Sequence, residues 1–311
     1  MSESSRQPAA VIPPSFDVLG VGENSVDYVY RVAALPQPGA ASKVRIAAYA
    51  RRPGGQVATT MGACAGFGLK AAYVGAFGAD ENGDIARAAL QQCAVDVRFA
   101  VVREGAGRYA VILVDQHTGE RCVLWDRDPA VVLSPDDVTL AMVSAARLVH
   151  VDAVDEEVSI RAARLARDAG VPVTSDIDTV TGRTRELLAA VTLPIVAEHV
   201  ATELTGESDL ERALRQLRRD HAGLLCATRG ERGAVLLAGD TFHQQPAFPV
   251  QTVDTTGAGD VFRAGFIYAL LRGDPPAAML RFAAAAAALS CTREGALGSG
   301  PSLDEVNQLL R

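Results

Sequence analysis

Beyond residue 147 the chain settles into a repeating order. Short apolar runs, Leu148 to Val151, Val171 to Ser175, Pro194 to Ala197 and Leu224 to Thr228, are separated by helical stretches such as Glu156 to Ala169 and Asp209 to Asp220. Strands that alternate with helices pair in parallel, and strands apolar throughout must be covered on both faces. The order therefore predicts an α/β protein with a mostly parallel central sheet between two helical layers. Ligands in such sheets sit beyond the carboxyl ends of the strands. Ser134, Pro135 and Asp136 read as a helix start, a cap followed by a first-turn proline. The chain closes on three helical patterns, Ala258 to Leu271, Pro275 to Thr292 and Leu303 to Leu310.

The first half follows a different pattern. FDVLGVG, Phe16 to Gly22, is a glycine-ended apolar run that predicts a buried first strand. Tyr28, Tyr30 and Val32 then alternate, a turn follows at Pro36 and Pro38, and Val44, Ile46 and Ala48 alternate again, as in a half-exposed hairpin. Gly54 and Gly55 lead into a small-residue helix, Val57 to Phe67, a strand, Ala71 to Phe77, and a helix, Asp80 to Cys93. A second alternating block spans Val97 to Val102, Tyr109 to Val114 and Arg121 to Trp125, with turns at Gly105 to Gly107 and at Thr118 and Gly119. The two blocks, at 27–50 and 97–125, predict one small β sheet outside the core. Residues 1–15 read as a flexible tail and 16–311 as one domain.

Composition narrows the partners. The chain has 311 residues, 49% of them apolar and 22% charged, enough core for a folded domain, and a formal net charge of −7. That sign argues against nucleic acid and anionic lipid and leaves a small ligand as the expected partner. The longest uncharged stretch, Pro53 to Leu69, is 17 residues with five glycines, too short and too polar to span a bilayer. The opening residues lack the apolar core of a secretory signal, so a cytoplasmic location is expected. Five cysteines, at 64, 93, 122, 226 and 291, are too far apart for a zinc knuckle or redox pair and read as free, small buried residues. Neither lysine, Lys43 or Lys70, stands in a P-loop, and GVGENS, Gly20 to Ser25, has only two glycines of a dinucleotide fingerprint. The arginines at 212, 215, 218 and 219 read as a solvated helix face.

The segment with most chemistry is VDTTGAGDVFRAGF, Val253 to Phe266. It turns through Gly257, Ala258 and Gly259 and becomes an apolar helix with Asp260 in its first turn. Small residues let a phosphate approach the backbone, where free N–H groups and the positive helix end attract it. An aspartate just inside faces that phosphate and can take the proton of a hydroxyl attacking in line. At average amino-acid usage the string D-T-x-G-A-G-D arises by chance in about 2 in 10⁵ chains of this length.

With that segment and PGGQVATTMGACAGFGLKAAYVGAFGADENG, Pro53 to Gly83, the chain resembles the ribokinase-like, or PfkB, carbohydrate kinases from Phe16 to Leu310. The resemblance implies a three-layer αβα sandwich with a small β lid over the sugar, and ATP with Mg²⁺ as phosphoryl donor. By the same resemblance Asp260 is the catalytic base and Gly257, Ala258 and Gly259 the anion hole. Asp254 and Thr256 match positions that hold an activating monovalent cation such as K⁺ in several members. Asp27 matches the carboxylate that holds sugar hydroxyls, Gly54 and Gly55 the backbone pair against the sugar, and TRGERG, with Thr228, Gly230 and Gly233, the nucleotide phosphate loop. Each also has a plain explanation, Asp27 as a solvated hairpin charge and the glycines as turn residues.

Three positions depart from the family pattern. Thr59 replaces the asparagine of ribokinases near the sugar; AEHV at Ala197 to Val200 replaces the N-x-x-E segment that organises water around Mg²⁺, with Glu198 the nearby substitute; and Ala284, in the alanine run Ala283 to Ala288, replaces an asparagine beside adenine. The alanines either leave room for a flat base or let two helices pack closely. The reading is an ATP-dependent kinase for a primary hydroxyl of a sugar or sugar derivative, nearer to fructokinases and ketohexokinases than to ribokinases. A nucleoside kinase would need an aromatic platform, and only 5% of residues are aromatic. A non-catalytic sugar or nucleotide sensor is the alternative of another class. Lys43, Arg45, Arg108, Arg121 and Arg127 are either solvated lid charges or contacts for an anionic acceptor. Family members pair through their lids, so Tyr28, Tyr30, Val44 and Ile46 either face a second copy or pack on the lid's own sheet.

Overall fold

The structure, a computed structural model, describes residues 14–37, 39, 43–118, 120–220 and 223–311. Most of the expected tail, and Pro38 and Gly119 of the expected turns, lie outside the described residues. The first half runs β1 Val18–Val21, β2 Ser25–Val32, β3 Ile46–Gly54, α1 Gln56–Gly66, β4 Ala71–Val74, β5 Ala76–Gly78, α2 Glu81–Gln92, β6 Val101–Arg103, β7 Tyr109–Asp115 and β8 Arg121–Asp126. The alternating part adds α3 Leu140–Ser144, β9 Val149–Asp152, α4 Glu156–Asp168, β10 Val173–Asp176, α5 Thr184–Ala190, β11 Ile195–Ala197, α6 Glu198–Thr205, α7 Leu210–Leu217 and β12 Leu225–Thr228. It ends with β13 Ala234–Ala238, β14 Thr241–Gln245, α8 Ala258–Arg272, α9 Pro276–Ser290 and α10 Leu303–Leu309.

Parallel pairing joins β4, β1, β9 and β10, and two further parallel bridges, Thr174 with Leu193 and Ile177 with Val196, carry the sheet on to β11 and β12. The hairpin β13–β14 closes the edge antiparallel to β12. Adjacent residues in one strand go to opposite cores: Val18 and Leu19, Ile195 and Val196, and Leu236 and Leu237 each divide between two apolar clusters. One cluster takes in α1, α2, α8 and α9, the other α4, α5 and α7. A period-2 chain apolar on both sides is what makes three layers, and it places the carboxyl ends of β1, β9 and β10 along one rim.

The two alternating blocks form one four-stranded sheet in the order β3, β2, β7, β8, with β2 and β7 parallel at its centre. Val97 to Val102 is not part of it. The run Ala71 to Phe77 breaks at Gly75, whose missing side chain makes way for the Tyr73 ring, and β5 beyond the break pairs with β6 in a separate ribbon. Tyr73 holds that bend by donating to Gly22 O at 2.7 Å and accepting from Asn24 Nδ2 at 2.9 Å. The start at Ser134 is a capped 3₁₀ turn, Pro135–Asp137, and α3 follows it. Cys64 and Cys226 are buried as expected, but Cys122 is exposed on β8. Among the described residues no helix is long and apolar enough to cross a membrane.

Candidate active site

The glycine-rich turn enters α8 through Gly257, whose φ of 75° is left-handed. A Cβ there would meet Ala296 Cβ at 2.7 Å and Thr59 Cγ2 at 3.3 Å, so conformation and space both require glycine. No side chain among the described residues caps this helix start. The N–H groups of Gly257, Gly259 and Asp260 make no hydrogen bond there, while Ala258 N reaches Thr255 O at 3.2 Å. Bare amides at a positive helix end form an anion-binding concavity.

Asp260 stands half-buried in the first turn of α8, beside Asp176 at the carboxyl end of β10. Burial raises the Asp260 carboxyl well above its usual range, the Asp176 charge adds to this, and Arg263 opposes it. Burial also raises Asp176, again against Arg263, whose guanidinium is paired with it. Asp260 thus sits in the same helical turn as the bare amides and lies within hydrogen-bonding reach of Asp176.

The residues expected to hold the acceptor stand at the root of the small sheet. Register sets Ser25 opposite Gly54, and a Cβ on Gly54 would lie 3.1 Å from Asp27 Oδ2, so the Asp27 carboxyl rests against that glycine. Burial raises Asp27, while the Ser25 hydroxyl, 3.3 Å from Oδ1, and Arg108 lower it. Gly55, at φ 97°, presses on the Asn24 backbone. Thr59 joins the two halves: its methyl touches the anion turn, and its buried Oγ1 has no partner. An unpartnered buried hydroxyl beside the glycine turn is available to a bound ligand.

Thr228 ends β12, and the loop after it turns through Gly230, φ 57°, and Gly233, φ 85°. Gly233 has no room for a Cβ against Gln245 O, whereas Gly230 opens to solvent. Ala284 is buried in α9; its neighbour Ala283 packs so closely that a Cβ on Gly265 of α8 would stand 2.9 Å from Ala283 Cα. The alanine run thus includes a close helix–helix contact. Glu198 does not fit the water shell of Mg²⁺ as expected, because one carboxyl oxygen accepts from Arg229 at 3.3 Å and the other pairs with Arg232. Among the described residues no cluster of three or more potential ligands is arranged to hold a metal. Asp254 and Thr256, expected beside a monovalent cation, are engaged by groups of this chain. Asp254 Oδ1 accepts from Thr256 N at 3.0 Å and Arg121 Nη2 at 2.8 Å, Oδ2 accepts from Gly295 N at 3.1 Å, and Arg121 Nη1 reaches Thr256 Oγ1 at 2.8 Å. Burial pushes Asp254 up, but these amides and Arg121 outweigh it and hold the carboxyl below its usual range.

Arg108 and Arg127 are paired as well, whereas Lys43 and Arg45 are exposed. Arg108 pairs with Glu23 and lies over the Trp125 ring at 4.8 Å, and Arg127 pairs with Asp155. Of the proposed pairing surface, Val44 and Ile46 are exposed; Tyr28 instead packs on Tyr109 and donates to Asn82 Oδ1 at 2.6 Å, and Tyr30 stacks on Tyr49. Arg215 and Arg218 form a solvated, salt-bridged face with Glu211 and Asp240.

Sequence reasoning missed Asp176, Arg263 and Glu23. Burial brings the Glu23 carboxyl up to about 7. The signal for Asp176 was DID, Asp176 to Asp178, closing an apolar run at the rim where ligands are expected. Arg263 lay inside the singled-out segment, one helical turn from Asp260.

Residues 16–303 match the family described as pfkB family carbohydrate kinase. The chain is 31% identical to an ATP-dependent ribose-1-phosphate kinase of Halopiger xanaduensis and 29% identical to fructokinase-1 of Zea mays, each over 94% of this chain and 97% of the relative. Arabidopsis thaliana ribokinase, solved with ribose and ATP, superimposes with a TM-score of 0.84 at 27% identity, covering 96% of this chain and 99% of that one.

Proposed function

This chain belongs to the pfkB family of carbohydrate kinases, and on that premise we propose that it transfers the γ-phosphoryl group of ATP to a primary hydroxyl of a sugar or sugar derivative. The observation that carries this reading is the row of unpartnered amides at Gly257, Gly259 and Asp260, with an aspartate in that same first turn of the helix. Phosphoryl transfer asks a protein mainly for positioning and charge neutralisation. Asp27 and the Gly54–Gly55 backbone hold the acceptor, with Thr59 Oγ1 free to bond it. The lid excludes water that would hydrolyse ATP, and Asp260 takes the acceptor proton as the amides take the growing charge. The loop from Thr228 to Gly233 lines the nucleotide phosphates, and Ala284 flanks the adenine. Any Mg²⁺ arrives with the nucleotide, since Glu198 is engaged elsewhere.

The acceptor we favour is a neutral ketose of the fructose type, since Glu23, Asp27 and Asp178 surround the site with carboxylates. A second reading, a sugar phosphate, has Arg108 and Arg127 in its favour. Both line a small cleft with Glu23, Asn24 and Asp155, where a phosphate would replace their carboxylate partners. Exposed Val44, Ile46 and Tyr49 on one side of the lid and Val123, Leu124 and Trp125 on the other suit the pairing of two copies through it.

ADP release with fructose, ribose, ribose 1-phosphate, ribitol and adenosine tests these readings. Preference for fructose supports the neutral acceptor, and preference for ribose 1-phosphate replaces it with the anionic one. Turnover of adenosine alone would make the protein a nucleoside kinase. Tight sugar binding with no turnover on any acceptor would sink the catalytic assignment.

A further inference from the structure

Beneath the anion turn lies a buried ion pair that nothing in the phosphoryl-transfer scheme has used. Arg263 and Asp260 are three residues apart in α8 and so share one face of the helix. The Arg263 guanidinium pairs with Asp176, and the two side chains are 4% and 1% exposed. It also passes directly under the main chain of the turn: a Cβ on Gly259 would stand 2.7 Å from Arg263 Nη1. Gly259 therefore makes room for a guanidinium as well as for a phosphate. Arg263 Nε is buried without a partner, and the other group within hydrogen-bonding reach of Asp176 is the Asp260 carboxyl. A charge removed from water this completely, and left partly unsatisfied, is costly to keep.

The groups around Asp260 show what that charge does. From β10 comes Asp176, with Asp178 beyond it; from the β1–β2 turn comes Glu23. Helix α1 contributes a threonine hydroxyl, Thr60 Oγ1, which donates to Asp260 O at 3.2 Å, and the one ionisable side chain of that helix, Cys64, is a buried thiol. The ionisable side chain of α9, Arg281, turns away to Leu310 O. The positive field of Arg263 is felt on the other side by His150 of β9, which burial first and this charge second bring down to about 3, so that it stays neutral. Among these groups Arg263 is the one cation set against carboxylates at the floor of the site. Two carboxylates in contact in a poorly solvated site cannot both ionise unless a cation offsets one of them.

We infer that Arg263 and Asp176 are a positioning pair for the base, in which the guanidinium neutralises Asp176 from below so that Asp260 can ionise and accept the substrate proton. An arginine suits this role because it stays protonated at any working pH. The inference rests on Asp260 being the base and adds how this chain keeps it competent.

The test is the pH profile of kcat/KM with the best acceptor. Only ionised Asp260 accepts a proton, so activity falls as pH drops through its pKa. In Arg263→Met the bare Asp176 charge moves that acid limb upward by about one pH unit or more, a loss of roughly tenfold at fixed pH on the limb. Arg263→Lys keeps a charge, and its limb stays near that of the wild type. Because Arg263→Met strands a buried carboxylate and is at risk of not folding, the double variant Asp176→Asn, Arg263→Met is the second arm. It removes both charges, and its limb is expected to return to the wild-type position. A folded Arg263→Met protein whose profile superimposes on the wild type would overturn the inference, as would a double variant whose limb stays displaced upward. An inactive wild type, or an Asp260→Asn variant with full turnover, would instead remove the base assignment on which the inference rests.

Discussion

Two arginines approach the same turn from opposite sides, and they are held very differently. Arg263 meets Asp176 in the floor with side chains 4% and 1% exposed, whereas Arg121 comes down from the lid to Asp254 with 33% and 16% exposed. The lid also sends Arg31 and Arg52 to Glu294, again at half-exposed positions. Burying a pair makes it permanent, because removing one partner of a buried ion pair costs about 3–5 kcal/mol through the charge left behind. Exposed pairs are each worth about 0–1 kcal/mol and break and reform readily. The floor is built to keep one electrostatic state and the lid to pass between two, as a cover that must admit a sugar and release its phosphate requires.

The largest effect expected is at the floor. Asp260→Asn keeps the shape and the helix start but cannot take a proton, so turnover should fall by roughly 10² to 10⁴, the range of a general base. Binding of ATP, followed by calorimetry, should stay close to wild type. Wild-type turnover in this variant would collapse the contrast, since the floor would then hold no chemistry.

Gly257→Ala comes next. It puts a side chain at φ 75° and a methyl 2.7 Å from Ala296 Cβ, and a strained non-glycine residue of this kind costs about 1–3 kcal/mol. A lower melting temperature together with loss of phosphate-dependent turnover is expected. A drop in activity with unchanged stability would mean that the turn relaxes freely and is not part of a rigid floor.

The same division separates what the sequence revealed from what it did not. The sandwich was legible because a strand buried on both faces is apolar at most positions, as in Leu148, Val149 and Val151 and in Leu224 to Ala227. The anion turn was legible because its requirements are local: small residues, a helix start and an acid in the first turn. Asp176 and Arg263 meet only when β10 and α8 pack, 87 positions apart, and a strand-ending aspartate looks like any other until its neighbour is known. Glu198 shows the converse. Its place in the chain is where the family resemblance puts a metal segment, yet Arg229 and Arg232, in the loop after β12, pair with its carboxyl, and nothing in the local sequence announces them. The β13–β14 hairpin passed unseen because Ala234 to Ala238 is apolar on both faces and so lacks the alternation that marked the lid. Val97 to Val102 carried that alternation but pairs with β5, since strand pattern does not name a partner.

The smallest expected effect lies in the lid, and it sharpens the contrast most because it depends on salt. Glu294→Gln removes the shared partner of Arg31 and Arg52, and Arg121→Gln removes the clamp on Asp254 and Thr256. Neither side of these contacts touches the proton being transferred, so each should raise KM a few-fold and leave kcat nearly unchanged, as expected for about 1 kcal/mol or less of lid closure. Ionic strength should imitate them. As the Debye length shrinks from about 10 Å at 0.1 M to about 3 Å at 1 M, half-exposed pairs weaken while the Arg263–Asp176 pair, shut away from solvent, does not. In the wild type KM should therefore climb with salt at constant kcat, and in the combined lid variant it should start high and climb less. A salt response confined to kcat would reverse the argument, placing the screened charges in the floor and the fixed ones in the lid.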